Sequence, residues 1–144
     1  MSDARPDPDK GCFSLAIVDI DNSKQINDTY GHYCGDQVLV SFAQVLQDNV
    51  RETDAVGRWG GEEFILLLPE TGLEAAATAC EKIRGIMARS SVCYQDCQIM
   101  VTATFGVSQY QVEGGIEETL RYADEAMYRG KQAGRDRIVR AGDR

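Results

Sequence analysis

Apolar residues fall along this chain in two rhythms. Phe13 to Val18 is an apolar run but for Ser14, which predicts a strand covered on both faces, and it ends in Asp19-Ile20-Asp21, placing carboxylates at a strand's C-terminal end. Asn27-Asp28-Thr29-Tyr30-Gly31-His32 predicts a turn. Beyond it Val38, Phe42, Val45 and Val50 recur at helical spacing, predicting a core-facing helix from about Gly35. Ala55 to Trp59 and Phe64 to Leu68 read as two strands joined by a tight hairpin at Gly60-Gly61-Glu62-Glu63, with acids at its tip. Leu73, Ala76, Cys80, Ile83 and Met87 step by three and four and predict a second long helix, with Glu74, Glu81, Lys82 and Arg89 on its far face. Ile99, Val101, Ala103, Phe105 and Val107 alternate as in a half-buried strand, with a hairpin-like segment around it. A last amphipathic stripe, Ile116, Leu120, Ala123 and Met127, ends at Gly130 to Gly134 before a short strand at Arg137 to Val139. This order predicts an α+β domain whose helices cover a mainly antiparallel sheet.

Composition narrows the possibilities. The chain has 144 residues, enough for one domain with its own core. Residues 1–11, with two prolines and three aspartates and almost nothing apolar, read as a flexible arm or expression remnant; the domain is expected over 12–144. The formal net charge of −8 argues against duplex nucleic acid and anionic membrane surfaces as partners, so a phosphate-bearing substrate would need a local cation. Five cysteines, an odd number without an apolar leader, favour reduced thiols and a cytoplasmic location. No apolar run is long enough to cross a bilayer.

Asp19-x-Asp21 and Glu62-Glu63 would bring four hard oxygen donors together if their strands are neighbours, an arrangement that suits Mg²⁺. Each acid taken alone reads as a solvated turn residue. The segments Asp19-Ile20-Asp21-x-x-Lys24-x-Ile26-Asn27-Asp28-x-x-Gly31-His32-x-x-Gly35-Asp36 and Arg58-Trp59-Gly60-Gly61-Glu62-Glu63-Phe64 resemble the GGDEF family of diguanylate cyclases in its GGEEF variant. Ala123-Asp124-x-Ala126-Met127-Tyr128-x-x-Lys131-x-x-Gly134-Arg135 is similar to that family's ending, so the resemblance runs from about Phe13 to Val139.

The resemblance implies a palm-like, nucleotidyl-cyclase-like fold with about five central strands, and a reaction that condenses two GTP into cyclic di-GMP and two pyrophosphates. It implies Mg²⁺, with Mn²⁺ as a substitute, held by Asp19, the Ile20 carbonyl, Glu62 and Glu63, with Glu62 also assisting deprotonation of the attacking hydroxyl. Asn22, Ser23 and Lys24 would wrap the β and γ phosphates with backbone N–H groups, and Lys24 would offset charge on the leaving pyrophosphate. Asn27 and Asp36 match the family's guanine pair, one amide and one carboxylate for an edge with acceptors and donors. Gly60 and Gly61 would let phosphate approach the backbone, and Lys131 and Arg135, near the end of the last helix, match further phosphate contacts. His32 falls in a turn and is expected to be structural.

Arg51-Glu52-Thr53-Asp54 sits where many such cyclases carry an Arg-x-x-Asp product-binding motif, although an ordinary helix end with a capped turn reads the same. Arg84 is the candidate for a further arginine there, with Lys82 at a comparable place. Ser23 stands where the family commonly has an aromatic residue, and the Asp-x-Leu-Thr segment that usually precedes the first strand is not recognisable, so a fragment is expected. Because each family active site holds one GTP, catalysis is expected to need two facing domains, supplied through an upstream sensory or dimerising module. The alternative from another class is a catalytically silent receptor for GTP or cyclic di-GMP. Retention of Glu62 and Glu63 favours the enzyme.

Overall fold

The computed structural model describes residues 11–142. The expected N-terminal arm therefore lies almost wholly outside the described residues. Seven strands and four α-helices follow in the order β1 (Phe13–Ile20), α1 (Ser23–Tyr30), α2 (His32–Asp48), β2 (Ala55–Gly60), β3 (Glu63–Pro69), α3 (Leu73–Arg89), β4 (Ser91–Tyr94), β5 (Cys97–Met100), β6 (Ala103–Gln109), α4 (Gly115–Gln132) and β7 (Arg137–Arg140). Five strands form one sheet in the order β2-β3-β1-β6-β7. All its pairings are antiparallel except β6 with β7, and β4 pairs with β5 in a separate hairpin. The expected α+β class and mainly antiparallel five-stranded sheet are what the chain forms.

The apolar run becomes β1, the central strand, whose two covered faces take apolar side chains. Its alternation divides the molecule. Ala16, Val18 and Ile20 join the main core with Phe42, Leu46, Leu66, Ile83 and Phe105, under α2 and α3. Ile17 faces the other way, against Ala123 and Met127 of α4. Period two then places Asp19 and Asp21 on the α4 side as well. Close approach of α4 to β6 depends on Gly106, where a Cβ would lie 2.0 Å from the Ala123 carbonyl oxygen.

Four local expectations are corrected. Asn27 to Tyr30 is not a turn but the second half of α1, and only Gly31 (φ 93°) breaks the helix before α2 starts at His32. Turn-forming residues are tolerated there because Ile26 anchors α1 in the core. The alternating run from Ile99 to Val107 is two strands: β5 ends at Met100, and β6 is buried on both faces because it sits between β1 and β7. Ile116, expected in the last buried stripe, is exposed at the start of α4, whereas Thr119, Ala126 and Gly130 lie on the buried face. Arg135 is beyond the helix, in left-handed backbone at φ 65°.

Among the described residues no helix is long and apolar enough to cross a membrane.

Candidate active site

The C-terminal end of β1 and the tip of the β2–β3 hairpin meet as the sequence expectation required. Asp19 pairs with Glu63 across the antiparallel ladder, and the Ile20 N–H donates to the Glu62 carbonyl at 3.4 Å. Arg58 fastens the tip from within: its Nε and Nη2 donate to the Gly61 carbonyl at 2.9 and 2.6 Å. Nothing in the hairpin's turn chemistry announced that clamp.

Four carboxylates do not converge into one cage, and the reason is the pleat. Glu63 shares the α4 side with Asp19, whereas Glu62 lies in the turn and lines a recess on the α1–α2 side. Among the described residues, no three His, Cys, Asp or Glu side chains make a metal-holding group. Asp21 is removed from the donor set altogether. It is 3% exposed, and accepts hydrogen bonds from Thr102 Oγ1 at 2.7 Å, Thr104 Oγ1 at 2.6 Å and the Asp136 N–H at 2.9 Å. A buried carboxylate so fully satisfied is a structural anchor.

Lys131 of α4 reaches into the remaining acids. Its Nζ lies 3.1 Å from Asp19 Oδ2, 3.3 Å from the Ile20 carbonyl oxygen and 3.5 Å from Asp21 Oδ1. Asp19 Oδ1 is buried without any hydrogen-bond partner. Burial pushes the Asp19 carboxyl above its usual range, Lys131 opposes that shift, and Glu62 and Asp21 add to it. Burial raises Glu63 too, followed by repulsion from Asp19, Asp124 and Glu62. This pocket of negative potential already holds one cation and leaves a buried oxygen free. A divalent ion fits such a place, since Mg²⁺ is commonly bound through one or two carboxylates with water and phosphate completing its shell.

On the other side of the strand end, Ile20, Ser23, Asn27, Gly35, Asp36 and Glu62 line a recess of about 50 Å³, room for the edge of a base. Gly35 makes space for the Asn27 side chain, because a Cβ at 35 would lie 1.7 Å from Asn27 Oδ1. The recess thus joins both expected guanine contacts to two of the residues expected at the metal, Ile20 and Glu62. Asn22, in left-handed backbone at φ 59°, precedes α1, so the amides of its first turn face away from the helix. Lys24 is exposed on that turn and Gly60 and Gly61 are exposed at the hairpin.

The second expected site is physically separate. A pocket of about 320 Å³ is lined by Arg51, Asp54, Glu70, Thr71, Lys82 and Ile83, among others. Arg51 donates to Asp54 at 3.0 Å, the Pro69 carbonyl at 2.9 Å and Thr71 Oγ1 at 2.7 Å. Lys82, not Arg84, faces this pocket. Arg84 pairs instead with Glu81 at 2.5 Å and Asp136 at 2.7 Å. Residues two positions apart on an α-helix are separated by about 200°, so the two cations cannot share a face.

Known proteins resemble this chain in sequence and in fold. The family model "Diguanylate cyclase, GGDEF domain" matches residues 3–137. Diguanylate cyclase DgcP of Pseudomonas aeruginosa is 39% identical over 135 residues, which is 94% of this chain and 20% of that protein. The chain therefore spans about a fifth of that relative's length. The GGDEF domain of DgcB from Caulobacter crescentus, solved with c-di-GMP, superposes with a TM-score of 0.87 at 30% identity, covering 92% of this chain and 79% of that one. The active GGEEF domain of a diguanylate cyclase from Vibrio cholerae gives 0.84 at 34% identity, covering 92% and 85%.

Proposed function

Because the chain belongs to the GGDEF family of diguanylate cyclase domains, we propose that residues 12–144 form a catalytic domain that condenses two GTP molecules into cyclic di-GMP and releases two pyrophosphates. The observation that carries this reading is that the recess holding Asn27 and Asp36 is also lined by Ile20 and Glu62, which are bonded to each other and adjoin Asp19 and Glu63 at the strand end. A base bound in the recess would have its phosphates at the acidic strand end.

Asn27 and Asp36 would read the guanine edge, the carboxylate accepting from donors that adenine lacks. The first-turn amides of α1 would receive phosphate oxygens, with Lys24 beside them. Asp19 and the Ile20 carbonyl, with Glu62 and Glu63 on either side, would hold Mg²⁺ or Mn²⁺. When bound, that ion supplies charge neutralisation at the phosphates and acidifies a nearby hydroxyl. Glu62 would accept the proton of the attacking 3′-hydroxyl. Lys131 and Arg135 would contact further phosphate oxygens, Lys131 moving from Asp19 to do so. One GTP per domain requires two domains face to face, so a homodimer, organised by an upstream module, is part of the proposal. A cytoplasmic location follows from the substrate.

The pocket at Arg51 is proposed as a product site: the guanidinium, already oriented by Asp54 and Thr71, suits a phosphate or a guanine edge, and Lys82 supplies a second positive charge. Arg51→Ala should relieve inhibition by added cyclic di-GMP, and undiminished inhibition would refute the assignment.

The primary test is mass analysis of products after concentrated protein is incubated with GTP and Mg²⁺, beside Glu62→Gln. Cyclic di-GMP made by the wild type and not by the variant supports the enzyme. Tight cyclic di-GMP binding without any product would replace it with a receptor.

A further inference from the structure

Immediately after α4, two consecutive residues other than glycine occupy left-handed backbone, Arg135 at φ 65° and Asp136 at φ 49°. Left-handed backbone is unfavourable for an L-residue, and such a pair persists only where its surroundings hold it. The turn is held at three points. The Arg135 N–H donates to the Gly130 carbonyl at 3.0 Å, the Asp136 N–H donates to Asp21 Oδ2 at 2.9 Å, and Arg84 Nη1 donates to Asp136 Oδ1 at 2.7 Å.

Arg84 comes from α3, 52 residues earlier in the chain, and Glu81 on the same helix orients it through a 2.5 Å contact. Asp21 is the buried anchor that also lies 3.5 Å from Lys131 Nζ. A continuous line of charge-assisted contacts therefore runs from α3 through the strained turn to the strand end. Arg135 sits in that turn, which sets its direction, and Lys131, in the last turn of α4, is linked to it through Asp21.

We infer that Arg84 is a positioning residue for the phosphate-facing cations: by gripping Asp136 it holds the turn that aims Arg135 and keeps Asp21 and Lys131 in register. The inference rests on the proposed function, in which Lys131 and Arg135 meet nucleotide phosphates. It assigns Arg84 a place at the active site and none in the product pocket, which Lys82 faces.

The test compares wild type with Arg84→Gln, Arg84→Lys, Asp136→Asn and the Arg84→Gln/Asp136→Asn double variant. Readouts are the affinity for a non-hydrolysable GTP analogue with Mg²⁺, KM and kcat for GTP, the inhibition constant of cyclic di-GMP, and the melting temperature. Arg84→Gln should weaken analogue binding and raise KM roughly fivefold to tenfold, the range for losing a partly exposed charge-assisted contact. Arg84→Lys should recover part of that loss, the double variant should be no worse than the poorer single one, and the cyclic di-GMP inhibition constant should not move. Unchanged analogue affinity in a folded Arg84→Gln, beside a wild type that binds normally, overturns the positioning role alone. A shift confined to cyclic di-GMP inhibition overturns it too and returns Arg84 to the product pocket. A folded wild type that binds no analogue overturns the proposed function and this inference with it.

Discussion

Lys131 Nζ lies 3.1 Å from Asp19 Oδ2 and 3.3 Å from the Ile20 carbonyl oxygen, so a protein cation occupies two of the oxygens proposed to hold a metal ion. Both side chains of this pair are largely buried, at 18% and 14% exposed. Removing one partner leaves an uncompensated charge in a poorly solvated place. Lys131→Met should therefore lose about 2 kcal/mol of stability in chelator, less than for a fully buried pair because water still reaches the site. Mg²⁺ should restore more of the melting temperature in the variant than it adds to the wild type. Calorimetry with and without Mg²⁺ checks this, and an equal Mg²⁺ response in both proteins would contradict the shared oxygens.

Asp19 and Glu63 face each other directly across β1 and β3, a like-charge pair of the kind that weakens a sheet. Burial, then repulsion from Asp19, raises the Glu63 carboxyl above its ordinary value. A carboxyl raised on folding contributes stability that is complete below its unfolded value and lost as pH rises through the folded one. At neutral pH and without divalent ions the ionised pair is thus a cost, at most about 1 kcal/mol after allowance for solvent screening. Glu63→Gln should melt higher than wild type at pH 7 in chelator, and the gap should close as pH falls toward the ordinary glutamate value of 4.5. Thermal scans across that range decide it; a variant less stable at pH 7 defeats the argument.

Gly35→Ala separates recognition from stability. A Cβ there would collide with Asn27 Oδ1, which is the far end of a movable side chain, so the fold can yield and the guanine contact cannot. Alanine within α2 also favours the helix by roughly 1 kcal/mol. The expected result is a melting temperature near or above wild type with GTP affinity reduced about tenfold or more. Titration calorimetry and a melting curve on the same preparation suffice, and full GTP affinity would remove Asn27 from the base-reading role.

Thiol reactivity should divide along the burial pattern. Cys93 and Cys97 are exposed on the β4–β5 hairpin, while Cys34 and Cys80 are buried, and burial pushes the Cys80 thiol up to about 12. The thiolate is the reactive form. Brief alkylation at pH 8 followed by peptide mass mapping should label Cys93 and Cys97, leaving Cys34 and Cys80 until the chain is unfolded. Early labelling of Cys80 would mean that the core beneath the Arg51 pocket opens readily.

Local rules read much of this protein from its residues. The run from Phe13 to Val18, the three-and-four spacing of α3 and the Gly-Gly hairpin each depend on neighbours within a few positions, where burial on one face translates directly into a repeating pattern. The chemistry of the candidate site was legible for a different reason. Carboxylates at a strand end and a hairpin tip have a recurring family spacing that survives in the sequence, and the family model matches it. Even so, that spacing left Asn27 in a turn when α1 runs through it, because the burial of Ile26 outweighs the turn preference of its neighbours.

The sequence by itself determined which segments bury apolar surface, which residues carry charge and which strand ends hold acids, since these follow from composition and short-range periodicity. Only the tertiary structure decided which distant charges meet. It put Lys131 on Asp19, withdrew Asp21 behind Thr102 and Thr104, turned Arg84 to Asp136 and left Lys82 at the Arg51 pocket. Each pairing depends on how helices are rotated and set against the sheet, and that rotation is fixed by the whole core rather than by the residues that come together.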